Sequence, residues 1–162
     1  MKFVELLSPA GDLKSFKAAI LAGANAIFFG VSDFNARQRA ENISFENLIE
    51  LIKLAKSKNV KSYLTLNTLV FDSEFSLLVE TVKNAVACGI DAVIVQDLGV
   101  LFVVKKLFPD LEIHASTQMT THNILQCEFL SELGVSQINL SRELSKNLQE
   151  VLIHLLKVHD LN

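Results

Sequence analysis

Two arginines, Arg37 and Arg39, alternate in a polar stretch that opens at Asn35. In an extended loop, guanidinium groups spaced in this way can grip a carboxylate or phosphate through paired hydrogen bonds, or lie in water as ordinary surface charge. Asn67, the pair Gln96-Asp97, the pair Thr117-Gln118 and Arg142 each follow a short apolar run. They add amide, carboxylate, hydroxyl and guanidinium groups to a set of substrate-binding candidates. His114 lies inside such a run, where an imidazole serves either as a satisfied structural group or as a catalyst or ligand. Neither it nor His122 has a partner at the i, i+4 spacing of a helical zinc site, and His154 and His159 fall in a tail of weak pattern, so no metal site is expected from the histidines. Cys88 and Cys127 sit in helical patterns and read as core packing. The Gly-x-Ser-x-Gly elbow, the His-Glu-x-x-His helix and the glycine-rich phosphate loops are all missing.

The elements that must position these groups follow from composition and period. With 162 residues, half of them apolar, the chain can bury a sizeable core as one domain. A net charge of −3 gives it no basic excess of the kind that tracks a phosphate backbone. The longest apolar stretch, Ala18 to Val31, is interrupted by Gly23, Asn25 and Gly30 and is too short to span a membrane. Glu5 interrupts the N-terminal apolar stretch, which has no signal-peptide cleavage region. A cytoplasmic, reduced setting without disulfides is therefore expected.

Short β-rich runs alternate with segments of helical spacing, as parallel βαβ construction requires. The pattern predicts strands at Val4 to Leu7, Ala26 to Phe29, Ser62 to Leu66, Ala92 to Val95, Glu112 to Ala115 and Gln137 to Leu140. Runs such as Ala92-Val93-Ile94-Val95, apolar on both faces, suit strands covered by helices outside and by packed side chains inside. Asp12 is placed to cap the first helix and Ser44, with Asn47, the second; Asp72, Ser73 or Ser76 can start the third, Pro109 closes the fourth, and the fifth spans about Asn123 to Leu133. A sixth helix is expected from about Ser145.

A joint recurs at Ala22-Gly23-Ala24-Asn25, Cys88-Gly89-Ile90-Asp91 and Leu133-Gly134-Val135-Ser136, each with a glycine that can end a helix in the left-handed conformation. Repetition of one joint favours an α/β fold built as a partial parallel (β/α) TIM-like barrel of about six βα units, with a doubly wound open sheet as the alternative. Ligands bind at the carboxyl ends of the strands in both. Asn67, Gln96, His114, Thr117, Gln118 and Arg142 are accordingly expected to point towards one mouth.

The rim residues fall within longer runs: Glu5-Leu6-Leu7-Ser8-Pro9-Ala10-Gly11-Asp12, Phe29-Gly30, Asn35-Ala36-Arg37 with Arg39-Ala40, Thr65-Leu66-Asn67-Thr68, Val95-Gln96-Asp97-Leu98-Gly99 and His114-Ala115-Ser116-Thr117-Gln118-Met119. In these motifs the chain resembles the collagenase-like peptidase family, called U thirty-two. The likeness covers residues 1–144, the N-terminal part of the barrel, whereas 145–162 form a helix and a divergent tail. The resemblance implies peptidase activity by the family's name. From its better understood members it implies oxygen-independent hydroxylation: of a tRNA wobble uridine with prephenate, of a ribosomal RNA cytidine, or of a ubiquinone precursor. RNA or a small molecule would then be the partner. Those relatives hold an iron-sulfur cluster through cysteines that Cys88 and Cys127 do not match, so no cofactor is expected in this chain. The alternative is a catalytically inactive barrel fragment or binding subunit, truncated and prone to self-association through exposed barrel edges.

Overall fold

The computed structural model describes residues 4–31, 33–36 and 43–151. Six strands form one parallel sheet in the order β1 to β6: β1 Leu7–Ala10, β2 Ala26–Phe29, β3 Lys61–Leu66, β4 Ala92–Val95, β5 Glu112–Ala115 and β6 Gln137–Ile138. Helices α1 Leu13–Leu21, α2 Phe45–Ser57, α3 Phe75–Cys88, α4 Leu98–Leu107 and α5 Ile124–Glu132 connect them in strict alternation. With β1 at one edge and neighbours consecutive throughout, the sheet is a partial barrel and not a doubly wound sheet, which would carry β1 inside.

Three strands differ in their bounds from the sequence reading, β3 only by starting one residue earlier, at Lys61. β1 begins at Leu7, three residues later than the apolar run suggests, because pairing with β2 decides it: the Asn25 and Ala26 N–H groups donate to the Leu6 carbonyl, and Val4 and Leu6 remain 83% and 57% exposed. The register then continues through Leu7↔Ala26 and Pro9↔Phe28. Since the Leu6 carbonyl faces β2, parity turns the backbone of Leu7 and Pro9 to the outer edge, where a residue without an N–H costs no ladder bond. At the other edge β6 stops at Ile138, because the Asn139 backbone N–H and its side-chain Nδ2 both donate to the Ala115 carbonyl, at 3.0 and 2.9 Å.

Capping follows the residue types. Ser15 N–H donates to Asp12 Oδ1 at 2.6 Å while Asp12 N–H donates to Ser15 Oγ at 3.0 Å, a reciprocal box that starts α1. Ser44 precedes α2 without a side-chain cap bond; its Oγ accepts from Asn47 Nδ2 at 3.1 Å. A 3₁₀ turn at Asp72–Glu74 leads into α3, so none of Asp72, Ser73 and Ser76 caps it directly. Gly23, Gly89 and Gly134 all have φ near +85° to +89°, as the recurring joint requires. At Gly89 (φ +89°) a methyl group would meet only the mobile end of Lys56, so the strain of an Ala there is in the backbone. Gly89→Ala should lower stability by about 1–2 kcal/mol, read as a shifted denaturant midpoint at constant slope.

Period-2 alternation divides the core. Leu64 and Leu66 join the large cluster between sheet and helices, together with Phe16, Leu48, Leu51, Leu78 and Val93. Tyr63 faces the barrel interior with Ala26, Ala92 and Ile94, against Leu7 and Phe28. Among the described residues no helix is long and apolar enough to cross a membrane.

Candidate functional site

A cavity of about 380 Å³ opens at the carboxyl ends of the strands, within the size range of small-molecule sites. Asn35, Asn67, Thr117, Gln118 and Arg142 line it, with Thr65 below and the backbone of Gly11 and Gly30 at its wall. Each group is fixed by its own element. On β3, parity puts Thr65 inside, and its Oγ1 donates to the Phe29 carbonyl at 3.0 Å, tying β3 to the end of β2. Asn67 leaves the same strand and accepts the Ala36 N–H on Oδ1 at 3.1 Å, which anchors the segment 33–36 over the rim. Asn35 is 2% exposed, and its Nδ2 donates to the Val31 carbonyl. It packs where Gly30 leaves room, for a Cβ at Gly30 would come within 2.5 Å of Asn35 Cγ. Gly30→Ala must therefore displace Asn35 from the wall. The expected result is a loss of about 1–3 kcal/mol from overpacking, with weaker binding of any ligand held there, both measurable by thermal unfolding with and without that ligand.

Beyond β5 the Ser116 N–H donates to the Val95 carbonyl at 2.8 Å, and Ser116 Oγ accepts the Gln118 N–H at 3.2 Å. This cap starts a 3₁₀ turn, Thr117–Met119, that presents Thr117 and Gln118 to the cavity. Arg142 follows β6, on a connection held by the Ser141 N–H donating to the Thr121 carbonyl at 2.9 Å. Glu143 is occupied by the Ser141 hydroxyl, whose hydrogen bond holds its carboxyl below the usual carboxylate range. Among the described residues Arg142 forms no ion pair, although its charge also helps to lower the pKa of the neighbouring Glu143, and it lines the cavity.

The remaining candidates lie elsewhere. Gln96 lines an adjacent recess that also shares Gln118. Asp97 caps α4, accepting the Gly99 and Val100 N–H groups at 2.7 and 3.1 Å. His114 is not at the mouth: with Glu112 it occupies the inward positions of β5, one layer below the strand end, and is 2% exposed. Its ring stands edge-on to Tyr63, with centroids 4.6 Å apart, and its Nε2 is 3.5 Å from Glu112 Oε2. Burial pushes the imidazole below its ordinary pKa. Tyr63 donates its hydroxyl to the Glu5 carboxylate at 2.9 and 3.1 Å, and burial, reinforced by Glu5, pushes the phenol pKa up. Arg37 and Arg39 lie outside the described residues, as do His154 and His159. The sequence reading passed over Thr65 and the Glu5–Tyr63 pair; the alternation Tyr63, Thr65 along one strand carries the signal for Thr65 alone.

The family model of peptidase family U32 matches residues 11–153. This chain belongs to that family. It is 42% identical over 147 residues to an uncharacterized protease of Methanocaldococcus jannaschii, covering 91% of this chain and 35% of that protein. A 23S rRNA 5-hydroxycytidine synthase of Escherichia coli is 39% identical, with 88% and 21% covered, and a tRNA hydroxylation protein P of Helicobacter pylori is 40% identical, with 91% and 35% covered. The chain thus spans about a third or less of the length of these U32 relatives. A solved U32 peptidase superposes with TM-score 0.73 at 13% identity, over 94% of this chain and 64% of that one, which speaks to the fold alone.

The iron-sulfur cluster implied by the resemblance finds no fit among the described residues. Cys88 ends α3 and Cys127 is buried on α5, on different elements, and no three His, Cys, Asp or Glu side chains come together as metal ligands.

Proposed function

We propose that this chain supplies the substrate-binding rim of an oxygen-independent RNA hydroxylation enzyme, and that the rim cavity holds its small anionic co-substrate, a dicarboxylate such as prephenate. The observation that carries this reading is the lining itself. A guanidinium without an ion pair among the described residues stands opposite amides and hydroxyls, and among the described lining residues there is no carboxylate, histidine or thiol. Such a lining attracts and orients an anion through Arg142, Asn67, Thr117 and Gln118, and its described residues include no nucleophile and base pair for peptide hydrolysis. Relatives at 39–40% identity have names that state rRNA and tRNA hydroxylation, beside one at 42% named as an uncharacterized protease, so the choice over peptidase rests on the lining. In this reading RNA is the partner and the setting is cytoplasmic. Within these residues the outer edges of β1 and β6 are unpaired, and we place self-association at β6, because Pro9 blunts the edge of β1.

The test is nucleoside analysis by mass spectrometry of total RNA from host cells with and without the gene. A hydroxylated uridine or cytidine should disappear on deletion, return with the intact gene and fail to return with Arg142→Gln. An unchanged nucleoside profile would overturn the reading.

A further inference from the structure

Beside the rim cavity, between the β4–α4 and β5–α5 connections, lies a second recess of about 400 Å³. Its walls are apolar: Leu69, Leu98, Met119 and Phe129 line it, and Phe129 is 48% exposed on α5 although its ring is large enough to anchor a core. Among the described residues no charged side chain lines it. Its polar groups are carboxamides. Gln126 is spent on structure, donating Nε2 to the Met119 carbonyl at 3.0 Å and accepting the His122 N–H at 3.3 Å, which fixes one wall. Gln96 is different. Its Oε1 has almost no accessible surface and no hydrogen-bond partner among the described residues, an unsatisfied acceptor that a turn of the amide into the mostly apolar recess would let a ligand donor satisfy. Gln118 lines both this recess and the rim cavity.

We propose that this recess is a subsite for a single pyrimidine base turned out of its RNA strand. The proposal rests on the RNA reading above and adds to it the place where the base is held. A base is flat and apolar on its faces, which suits the leucine, methionine and phenylalanine walls, and it carries donors and acceptors on one edge, which suits a carboxamide. Turned into the recess, Gln96 Oε1 would accept from the cytosine amino group or the uracil N3–H; in the other orientation the amide presents a donor to a carbonyl oxygen, so one side chain serves either pyrimidine. A neutral recess excludes the phosphate, which is left to the strand outside. Gln118 then stands between base edge and co-substrate, so that the base lies next to the anion cavity and not across the barrel from it.

Binding can be read without turnover by titrating the ¹⁵N-labelled full chain with cytidine 5′-monophosphate, uridine 5′-monophosphate and, as a base-free control, ribose 5-phosphate. Both nucleotides should shift the side-chain amide signals of Gln96 and Gln118 and the backbone signals around Phe129, whereas ribose 5-phosphate should leave them in place. Gln96→Leu should weaken nucleotide binding by about tenfold, the loss of one hydrogen bond to a buried group. Phe129→Ala, on an exposed side chain, should do the same through lost stacking and serves where the Gln96 variant fails to fold. Equal shifts with ribose 5-phosphate, or nucleotide shifts confined to Asn67 and Arg142, would overturn the base subsite. Because the titration needs no hydroxylation, its failure is separate from that of the RNA reading, which the nucleoside profile decides.

Discussion

Arg142→Gln should weaken binding of prephenate at the rim cavity by about tenfold to a hundredfold, the range for losing a hydrogen bond between charged groups. The side chain is exposed, yet three features aim it at a ligand. It follows β6 on a connection tied to Thr121, the neighbouring Glu143 is engaged by Ser141, and no described carboxylate pairs with it. Arg142→Lys separates charge from geometry. A lysine keeps the positive charge but loses the planar fork, so its affinity should fall between the two. The wild-type affinity should also drop as salt rises from 50 to 500 mM, and the Gln variant should respond less, because screening acts on the charge that it lacks. Isothermal titration at two salt concentrations checks all of this. Equal affinities for wild type and Arg142→Gln would place the anion away from this cavity.

Much of this architecture is written in local pattern, and what is not written there depends on partners far along the chain. β2, β4 and β5 end where the sequence ends them, because an apolar β-rich run stands between a polar or glycine joint and a helix cap. β1 does not, since Leu-Ser-Pro-Ala is a poorer strand by composition than the run before it and is selected by the register of β2. The same division holds at the site. Asn67, Thr117, Gln118 and Arg142 reach the cavity because they follow strands, and residues in that position lie at the rim in any parallel barrel. Asp97 also follows a strand, but it directly precedes a helix, and its carboxylate satisfies the N–H groups there. His114 is within its strand by one layer. Whether it faces in or out depends on parity relative to a sheet whose two faces are both apolar, and that is invisible in a single run. The Glu5–Tyr63 hydrogen bond joins residues 58 apart, with no local trace at all.

The interior group around Tyr63 sets the other large effect. Tyr63→Ala should destabilise the chain by about 3–5 kcal/mol, as loss of a buried aromatic ring does, whereas Tyr63→Phe should cost about 1 kcal/mol, since it removes only the hydroxyl that bonds Glu5. Both follow from a side chain 1% exposed that fills the barrel between Ala26, Ala92 and His114. The ring also keeps water from His114, whose folded pKa is depressed by burial. The sign of the pH effect is then fixed. The unfolded chain takes up the histidine proton near its ordinary value of 6.5, while the folded chain takes it up only at lower pH, so stability is intact above that value and falls as pH drops through the folded pKa. Denaturant midpoints at pH 7.5 and 5.5 should therefore differ for the wild type, with the more acidic lower. His114→Gln should flatten that difference, because an amide does not titrate. Tyr63→Ala should flatten it in part, because water entering the vacated space solvates the imidazolium and brings the folded pKa back towards the unfolded one. A wild-type midpoint that stays level across that interval would mean that Glu112 and Glu5 cancel the effect of burial, and one that rises on acidification that they outweigh it.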